Sequence, residues 1–312
     1  MTDKAAIVPT GLLRQMPMTE YLAPGHRACP GCAEVLALKL VLRVLGPDII
    51  VVMATGCMEI TTTPFPYTSW RIPWIHTLFE NTAAVACGVE AGLRVLERRG
   101  RRVGKRAKVV AIAGDGATAD IGMQALSGVL ERGHDLIYVC LDNEAYMNTG
   151  VQRSGTTPFG ASTTTSPAGK KSIGQVTWKK NMPAIVAAHG IPYVATTCPS
   201  YPFDLKAKVQ KAAALHGTAY LHILSVCPPG WKAPSDLSVR LGRLAVQTGI
   251  FPLYEVEDGK YKLSMDFSQL KPVTDYLKLQ GRFSHLREPD IQRIQERVDK
   301  EYHELRKKTG KD

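Results

Sequence analysis

The chain has 312 residues, of which 45% are hydrophobic and 21% are charged. These fractions are ordinary for a globular protein, and they exclude a disordered, collagenous or coiled-coil chain. A chain of this length buries roughly 75% of the surface that its unfolded form exposes, so its core needs no disulfide bonds. Lys and Arg number 39 against 28 Asp and Glu, and the resulting net charge of +11 favours anionic partners.

The distribution of charged residues and cysteines excludes further classes of protein. Basic residues concentrate at 94–108 and near the C-terminus without interleaved aromatics, which indicates solvated surface rather than a nucleic-acid site. The longest stretch without charged residues, 183–203, contains four prolines and therefore predicts no membrane helix. Residues 1–10 lack the apolar segment of a secretory signal. Seven cysteines, an odd number, then indicate thiols or metal ligands in a reducing, cytoplasmic compartment.

Strands and helices are predicted to alternate along most of the chain, after an irregular arm at residues 1–25. Apolar, β-branched runs predict buried strands at Ile49–Ala54, Val109–Ala113, Leu136–Leu141, Tyr193–Thr196 and Ala219–Val226. Helical patterns occur at Ala33–Leu45, Asn81–Arg98, Ile121–Leu130, Met182–His189 and Phe203–Leu215. This alternation predicts an α/β fold with a mostly parallel sheet flanked by helices.

Two long loops and a C-terminal arm complete the predicted organisation. The Thr-, Pro- and aromatic-rich stretch 61–74 is a predicted loop, and so is the polar stretch 148–175, whose length indicates a function. We assign residues 26–235 to one domain and residues 236–312 to an arm that packs on this domain or on a partner subunit. Within the arm, the pattern predicts a hairpin in Phe251–Lys262 and a charged helix at Pro289–Lys307.

The strongest motif is Gly114-Asp115-Gly116 at the end of one predicted strand, with Asn143 at the end of the next, 28 residues after Asp115. Both loops are expected on the sheet edge where ligands bind. The glycines expose backbone N–H groups to a diphosphate at the start of a helix. Asp115 would repel that diphosphate unless a divalent cation lay between them, and Mg²⁺ accepts carboxylate, amide and carbonyl oxygens. The motif therefore predicts a diphosphate–metal site with Asn143 and a following carbonyl as further ligands.

Two other interpretations of this loop stay open. Residues 114–119 also fit the dinucleotide-binding pattern G-x-G-x-x-A. That interpretation lacks a clear acidic residue at the end of the next strand and gives Asp115 no role. The remaining possibility is a tight turn that binds no ligand.

A second constellation is formed by Cys29-Pro30-Gly31-Cys32, which precedes a predicted helix, and by Cys57, which follows a strand. A single C-x-x-C pair is compatible with a redox dithiol, half a zinc site or two ligands of an iron–sulfur cluster. The start of a helix favours thiolates and an anionic cluster. The constellation predicts a metal centre, with structural zinc as the alternative to a cluster.

The fourth thiolate has to come from one of the remaining cysteines. Cys87 and Cys140 fall within apolar elements and are expected to be inert core thiols. Cys198 and Cys227 each precede a proline, and Cys227 directly follows a predicted strand. Cys227 is therefore expected at the same sheet edge as Cys57, and we predict that it completes the set.

Taken together, these motifs resemble the β subunit of 2-oxoacid:ferredoxin oxidoreductases of the pyruvate synthase type. The likeness is carried by GHRACPGC (25–32), ATGCMEI (54–60), PWIHTLFENTAA (73–84), GDGATADIG (114–122), LDNEAYMNTGVQRSG (141–155) and PAGKK (167–171). It continues through PLYEVEDGKY (252–261) and FSQLKPVTDYLKLQGRF (267–283). The resemblance implies a thiamine diphosphate-binding fold of the pyrophosphate type.

The resemblance also implies roles for individual residues. Mg²⁺ would be held by Asp115, Asn143 and the carbonyl of Ala145, and the diphosphate would be lined by Gly114, Gly116 and Ala117. Asn148 would face the thiazolium ring and the substrate, and Glu34 and Cys57 would contact the cofactor. One [4Fe-4S] cluster would be held by Cys29, Cys32, Cys57 and Cys227.

The implied activity is the reversible oxidative decarboxylation of a 2-oxoacid in anaerobic metabolism, with single electrons passing to the cluster and then to ferredoxin, and coenzyme A taking the acyl group. Pyruvate is the first expectation, with oxalate or 2-oxoisovalerate as alternatives. A partner subunit would supply the glutamate at the aminopyrimidine ring. A ferredoxin-like subunit would carry further clusters, because this chain has no C-x₂-C-x₂-C-x₃-C run. A zinc-stabilised dinucleotide-binding protein is the alternative from a different class.

Overall fold

The computed structural model describes residues 16–101 and 107–310, so residues 1–15 of the predicted N-terminal arm lie outside it. The described strands are β1 (Ile49–Ala54), β2 (Trp74–Thr77), β3 (Lys108–Gly114), β4 (Leu136–Asp142), β5 (Ala168–Gly169), β6 (Ser172–Ile173), β7 (Tyr193–Thr197), β8 (Ala219–Leu224), β9 (Tyr254–Glu257) and β10 (Lys260–Leu263). One sheet has the order β10-β9-β7-β8-β4-β3-β1-β2, and β5 pairs only with β6.

The helices lie between these strands and after them. They are α1 (Ala33–Leu45), α2 (Cys57–Thr62), α3 (Thr82–Arg98), α4 (Asp115–Ala119), α5 (Met123–Arg132), α6 (Met182–Ala187), α7 (Pro202–Ala214), α8 (Pro228–Trp231), α9 (Ser238–Gln247), α10 (Thr274–Leu277) and α11 (Glu288–Lys308). Helix α1 ends where Gly46 adopts φ 76°, a conformation that glycine tolerates better than other residues. Within the described part of the chain, no helix is both long and apolar enough to cross a membrane.

The predicted α/β fold with a mostly parallel sheet is confirmed. In the eight-stranded sheet the strands β1, β2, β3, β4, β7 and β8 run parallel, and β9 and β10 form the antiparallel edge. The separate pair β5 and β6 is also antiparallel. Alternate residues of β1 enter two different hydrophobic clusters, Val51 on one face and Val52 on the other. Helices α1 and α7 cover the first face, while α3, α5 and α6 cover the second. Burial on both faces explains why the strands are continuous apolar runs.

The predicted loop at 61–74 is wrong at both ends. Its first two residues belong to α2, where the hydroxyl of Thr62 donates to the Met58 carbonyl at 2.6 Å. Its last residue, Trp74, begins the edge strand β2, which pairs with β1. The strand is half exposed and only four residues long, so it lacks the apolar run that marked the interior strands.

The C-terminal segment extends the sheet and packs on it. Asp258 and Gly259 both have positive φ, 47° and 79°, as a two-residue hairpin turn requires. The hairpin adds β9 to the edge of β7. Buried residues of α9, α10 and α11 share a third hydrophobic cluster with Val226 and Trp231, so the segment packs close to the carboxyl end of β8.

Candidate functional site

A cavity of about 210 Å³ opens at the carboxyl ends of β1, β3 and β4. Parallel strands that carry their loops on one edge create such a crevice. Most of the predicted cofactor residues line this cavity, namely Glu34, Cys57, Gly114, Asp115, Gly116, Asn143, Ala145 and Asn148. Ala117 lies in the same helix as Asp115, but its side chain packs into the hydrophobic cluster behind the sheet.

Asp115 begins α4 and is almost completely buried, with 2% of its surface exposed. Its Oδ2 accepts hydrogen bonds from Ser154 Oγ at 2.5 Å and from Thr156 Oγ1 at 2.8 Å. The hydroxyl of Thr156 also lies 2.9 Å from Asp142 Oδ1, although it has one proton to donate. Burial, and then the nearby Asp142 carboxylate, raise the pKa of Asp115 well above its usual value. The carboxyl groups of Asp115 and Asp142 thus lie on opposite sides of one hydroxyl group, that of Thr156.

Asp142 is the member of this pair that has basic partners. Its Oδ2 lies 3.1 Å from Lys179 Nζ and 2.8 Å from His222 Nε2. Burial alone would raise the pKa of Asp142, but Lys179 and His222 together lower it. Within the described part of the chain, Asp115 forms no ion pair with a basic side chain. A buried carboxylate without a counter-charge, facing a cavity, is the donor that a divalent cation requires.

The loop of residues 143–145 is held by contacts from several elements. Asn143 Nδ2 donates to Glu34 Oε1 at 2.7 Å, and Asn143 Oδ1 accepts from the backbone N of Ala145 at 3.2 Å. Glu144 adopts φ 70°, an uncommon conformation for a residue with a side chain. Burial raises the pKa of Glu34 to about 8, with the Asn143 hydrogen bond lowering it and Asp142 raising it. These contacts therefore fix the loop at the wall of the cavity.

The four predicted cluster cysteines come together next to this cavity. Cys57 begins α2, Cys32 precedes α1 and Cys227 precedes α8. The thiols are close enough to raise one another's pKa: Cys227, Cys32 and Cys29 all act on Cys57, after burial and Glu34. The backbone N of Ala33 donates to the Val226 carbonyl at 3.1 Å, which joins two of the cysteine loops.

In residues 16–101 and 107–310, no group of three or more His, Cys, Asp or Glu side chains is arranged so that it could hold a metal ion. Burial is the largest influence on both Cys32 and Cys227 and raises the pKa of each thiol to about 12. Cys140 and Cys198 are fully buried and Cys87 nearly so, in agreement with the prediction that Cys87 and Cys140 are core thiols.

Several residues of this site were not identified from the sequence. Ser154 and Thr156, which bind Asp115, come from the predicted loop 148–175, and neither was assigned a role from the sequence. Lys179 and His222, which bind Asp142, carried no motif. Gly116 was predicted from its motif, and the structure adds a reason, because a Cβ there would lie 2.1 Å from the ring of Tyr146.

Comparison with known proteins identifies the family. Residues 54–223 match the model described as thiamine pyrophosphate enzyme, C-terminal TPP binding domain. The pyruvate synthase subunit PorB of Methanocaldococcus jannaschii is 54% identical over 92% of this chain and 97% of its own length. The corresponding subunit of Methanothermobacter thermautotrophicus is 56% identical over 94% of this chain and 99% of its own length. The ketoisovalerate oxidoreductase subunit VorB of Pyrococcus horikoshii is 45% identical, and the match covers 94% of both chains.

A solved structure supports the same fold. The 2-oxoglutarate:ferredoxin oxidoreductase of Magnetococcus marinus matches 72% of this chain and 79% of its own chain with a TM-score of 0.55 and 22% identity. The chain belongs to the thiamine pyrophosphate enzymes and, within them, to the β subunits of the 2-oxoacid:ferredoxin oxidoreductases. It is thus one subunit of a larger oxidoreductase, and the family predicted from the sequence is confirmed. The diphosphate interpretation of Gly114-Asp115-Gly116 is favoured over the dinucleotide one.

Proposed function

We propose that this chain binds thiamine diphosphate through Mg²⁺ and one [4Fe-4S] cluster at the same sheet edge, and that it oxidises a 2-oxoacid there. The observation that carries the proposal is the position of Asp115 and Cys57, which line one cavity from two different strands. Cys57 also interacts with the other three thiols. A cofactor in this cavity would lie directly beside a metal centre held by those thiols.

The diphosphate end of the cofactor fits the Asp115 side of the cavity. Asp115, Asn143 and the Ala145 carbonyl supply the oxygens that would hold Mg²⁺, and the backbone of Gly114 and Gly116 would lie against the phosphates. The absence of a basic partner for Asp115 among the described residues supports a bound cation. Asn148 lies on the cavity wall, where it would face the reacting part of the substrate.

The chemistry of the bound groups explains why the two sites adjoin. Thiamine diphosphate, when bound, supplies the nucleophilic carbon and the electron sink for loss of CO₂ from a 2-oxoacid. A [4Fe-4S] cluster, when bound, takes up electrons one at a time for transfer to ferredoxin. The chain's own part is to hold both groups and to exclude water between them. Four thiolates can hold either a cluster or a zinc ion, and the likeness to 2-oxoacid:ferredoxin oxidoreductases favours the cluster.

The size of the cavity supports a shared cofactor site. Pockets that enclose a drug-sized molecule measure roughly 300–1,000 Å³, whereas this cavity measures about 210 Å³. We propose that a partner subunit covers the aminopyrimidine half of the cofactor and supplies the glutamate that activates it. A further ferredoxin-like subunit would carry the electrons to soluble ferredoxin, and coenzyme A would accept the acyl group.

Pyruvate is the proposed substrate, because the relatives named pyruvate synthase share more identity with this chain than the relative named for ketoisovalerate. The test is anaerobic purification of the chain with its partner subunits, followed by metal analysis and a panel of pyruvate, oxalate, 2-oxoisovalerate and 2-oxoglutarate with coenzyme A and ferredoxin. We expect a brown complex that contains iron and sulfide and reduces ferredoxin fastest with pyruvate.

The variant Asp115→Asn provides the matched test of the diphosphate site. Asparagine keeps the size of the side chain but loses the charge that holds the cation, so affinity for thiamine diphosphate and Mg²⁺ should fall by more than the roughly 10–100-fold typical of an outer-shell residue. The brown cluster absorbance should remain. A colourless wild-type complex, or full turnover by the single chain, would contradict the proposal.

A further inference from the structure

The C-terminal segment places one buried arginine between the two proposed cofactor sites. The side chain of Arg282 is only 3% exposed, although it is remote in sequence from every cofactor residue. Its Nη2 donates to Glu144 Oε2 at 2.6 Å, and its Nε donates to Gln280 Oε1 at 3.0 Å. Desolvation of a charge costs several kcal/mol unless partners satisfy it. These contacts therefore hold the guanidinium in one defined place.

Glu144 connects this arginine to the proposed magnesium loop. Glu144 lies between Asn143 and Ala145 in the chain, and its backbone adopts φ 70° at this position. Its second oxygen, Oε1, accepts from Lys179 Nζ at 2.9 Å. Arg282 and Lys179 together compensate the buried carboxylate and hold the loop in its uncommon conformation. Loss of Arg282 would remove one of the two ionic contacts that hold Glu144 and its loop.

Trp231 connects the same arginine to the loop of Cys227. The guanidinium carbon of Arg282 lies 4.0 Å from the Trp231 ring centroid, which is within cation–π distance. Trp231 Nε1 donates to the Asn143 carbonyl at 2.8 Å, and its backbone N donates to the Cys227 carbonyl at 2.8 Å. Trp231 therefore contacts both cofactor loops, the loop 143–145 through its indole and the Cys227 loop through its backbone, and Arg282 covers the indole.

The backbone before Arg282 is also shaped for this position. The N–H of Gly281 donates to the Lys232 carbonyl at 3.0 Å, and a Cβ on Gly281 would lie 2.8 Å from the Lys232 Cβ. Only glycine permits so close an approach of the two chains. The approach brings Arg282 against Trp231 of α8, the helix that Cys227 precedes.

We propose that Arg282 is a positioning residue for both cofactors, fixing the loop 143–145 through Glu144 and Trp231 while placing a positive charge beside the Cys227 ligand. This inference rests on the proposed function, because it assumes thiamine diphosphate and a cluster at these sites. It makes one side chain responsible for two separable properties, cofactor affinity and cluster reduction potential. The guanidinium charge stabilises the reduced cluster, which carries one more negative charge than the oxidised one.

The test uses the anaerobic complex with its partner subunits and compares Arg282→Gln, Arg282→Lys and Glu144→Gln with wild type. Affinity for thiamine diphosphate with Mg²⁺ is measured by calorimetry. The cluster potential is measured by a redox titration followed by electron paramagnetic resonance, on the signal that Cys227→Ser removes. Arg297→Gln is the matched control, because Arg297 is part-exposed on α11 and pairs there with Glu301.

We expect Arg282→Gln to weaken cofactor binding by about 10–100-fold, as for other outer-shell residues, and to lower the cluster potential. Glu144→Gln should also weaken binding but should raise the potential, because it removes a negative charge. Arg282→Lys should keep the cluster potential closer to the wild-type value than the cofactor affinity. Lysine keeps the positive charge but lacks the planar guanidinium that donates to two partners at once.

The opposite directions of the two potential shifts separate a charge effect from general damage, which would move both variants the same way. If Arg282→Gln fails to assemble, Arg282→Lys and Glu144→Gln decide the question. The inference is overturned if wild type binds both cofactors while these variants leave affinity and potential unchanged, or shift the potential in one direction. A wild-type complex without cofactor binding or cluster signal overturns the proposed function itself, and the inference with it.

Discussion

The two sides of the cavity are constructed in different ways. On one side, Asp115 receives hydrogen bonds from Ser154 and Thr156, two side chains that the fold brings from a distant loop. On the side of Cys57, the neighbouring thiols of Cys32 and Cys227 lie within reach of backbone N–H groups, which lower their pKa values against the larger effect of burial. Burial keeps both thiols protonated at neutral pH, with a pKa of about 12. Under the proposed function, the fold preorganises the diphosphate side, whereas the thiol side would be completed by a bound metal centre.

This difference follows from the chemistry of the two ligand types. A carboxylate is charged in the unfolded chain, so a buried one needs partners before any cation arrives. A thiol is neutral until a metal displaces its proton, so a thiol in a loop needs no ionic partner before the metal binds. The comparison therefore predicts that substitution of a cysteine affects the cluster alone. Substitution of a hydroxyl residue beside Asp115 should lower the affinity for thiamine diphosphate.

The largest expected effect is that of Cys32→Ser. Serine is a good N-cap and should preserve the start of α1, but it is a poor ligand for iron. We expect complete loss of the cluster signal at Cys32 together with nearly unchanged affinity for thiamine diphosphate and Mg²⁺. Iron and sulfide analysis, absorbance and calorimetry on the complex provide the measurements. Equal loss of cofactor affinity would show that the two sides are not independent.

A smaller effect is expected for Thr156→Val, which keeps the side-chain shape and removes the hydroxyl between Asp115 and Asp142. The two carboxylates would then face each other without a shared donor, so we expect affinity for thiamine diphosphate and Mg²⁺ to fall by about 10–100-fold. The cluster signal should stay intact. The control is Thr164→Val, an exposed threonine in the same loop, and calorimetry that gave both variants the wild-type affinity would refute a preorganised site.

The sequence was informative where one physical pattern dominates. Apolar runs buried on both faces predicted the interior strands, and Ala33–Leu45 and Ile49–Ala54 have the predicted bounds. Glycines flanking Asp115 and the cysteine pair predicted which residues meet at the sheet edge. These features are local, and the parallel topology brings their loops to one edge whatever the details of packing.

The partners of Asp115 could not be predicted in this way. Ser154 lies 39 residues from Asp115 in the chain, and no periodicity reports on a contact between two loops. Arg282 presents the same difficulty over 138 residues from Glu144. Such contacts depend on how the long loop and the C-terminal segment fold back over the sheet, so they emerge only from the three-dimensional structure.

The smallest expected effect concerns a buried charge outside the cavity, which serves as a reference for Asp115. Lys208 of α7 donates to the Thr196 carbonyl at 2.7 Å and pairs with Asp204 at 2.7 Å. Even so, burial outweighs the attraction of Asp204 and lowers the pKa of Lys208 below its ordinary value of 10.5. The fold-supplied partners thus offset only part of the cost of burying this charge.

The pH dependence of the free energy of unfolding tests whether the burial of Lys208 is only partly compensated. In the alkaline range below 10.5, the unfolded chain keeps the Lys208 proton more readily than the folded chain, so the free energy of unfolding should rise with pH. Wild type should therefore gain stability over Lys208→Met as the pH increases, in urea unfolding curves recorded at several pH values. A difference that stays flat would mean that Asp204 fully compensates the charge. Asp115 is the contrasting case, because its pKa is also shifted against the charged form but no basic side chain among the described residues forms an ion pair with it.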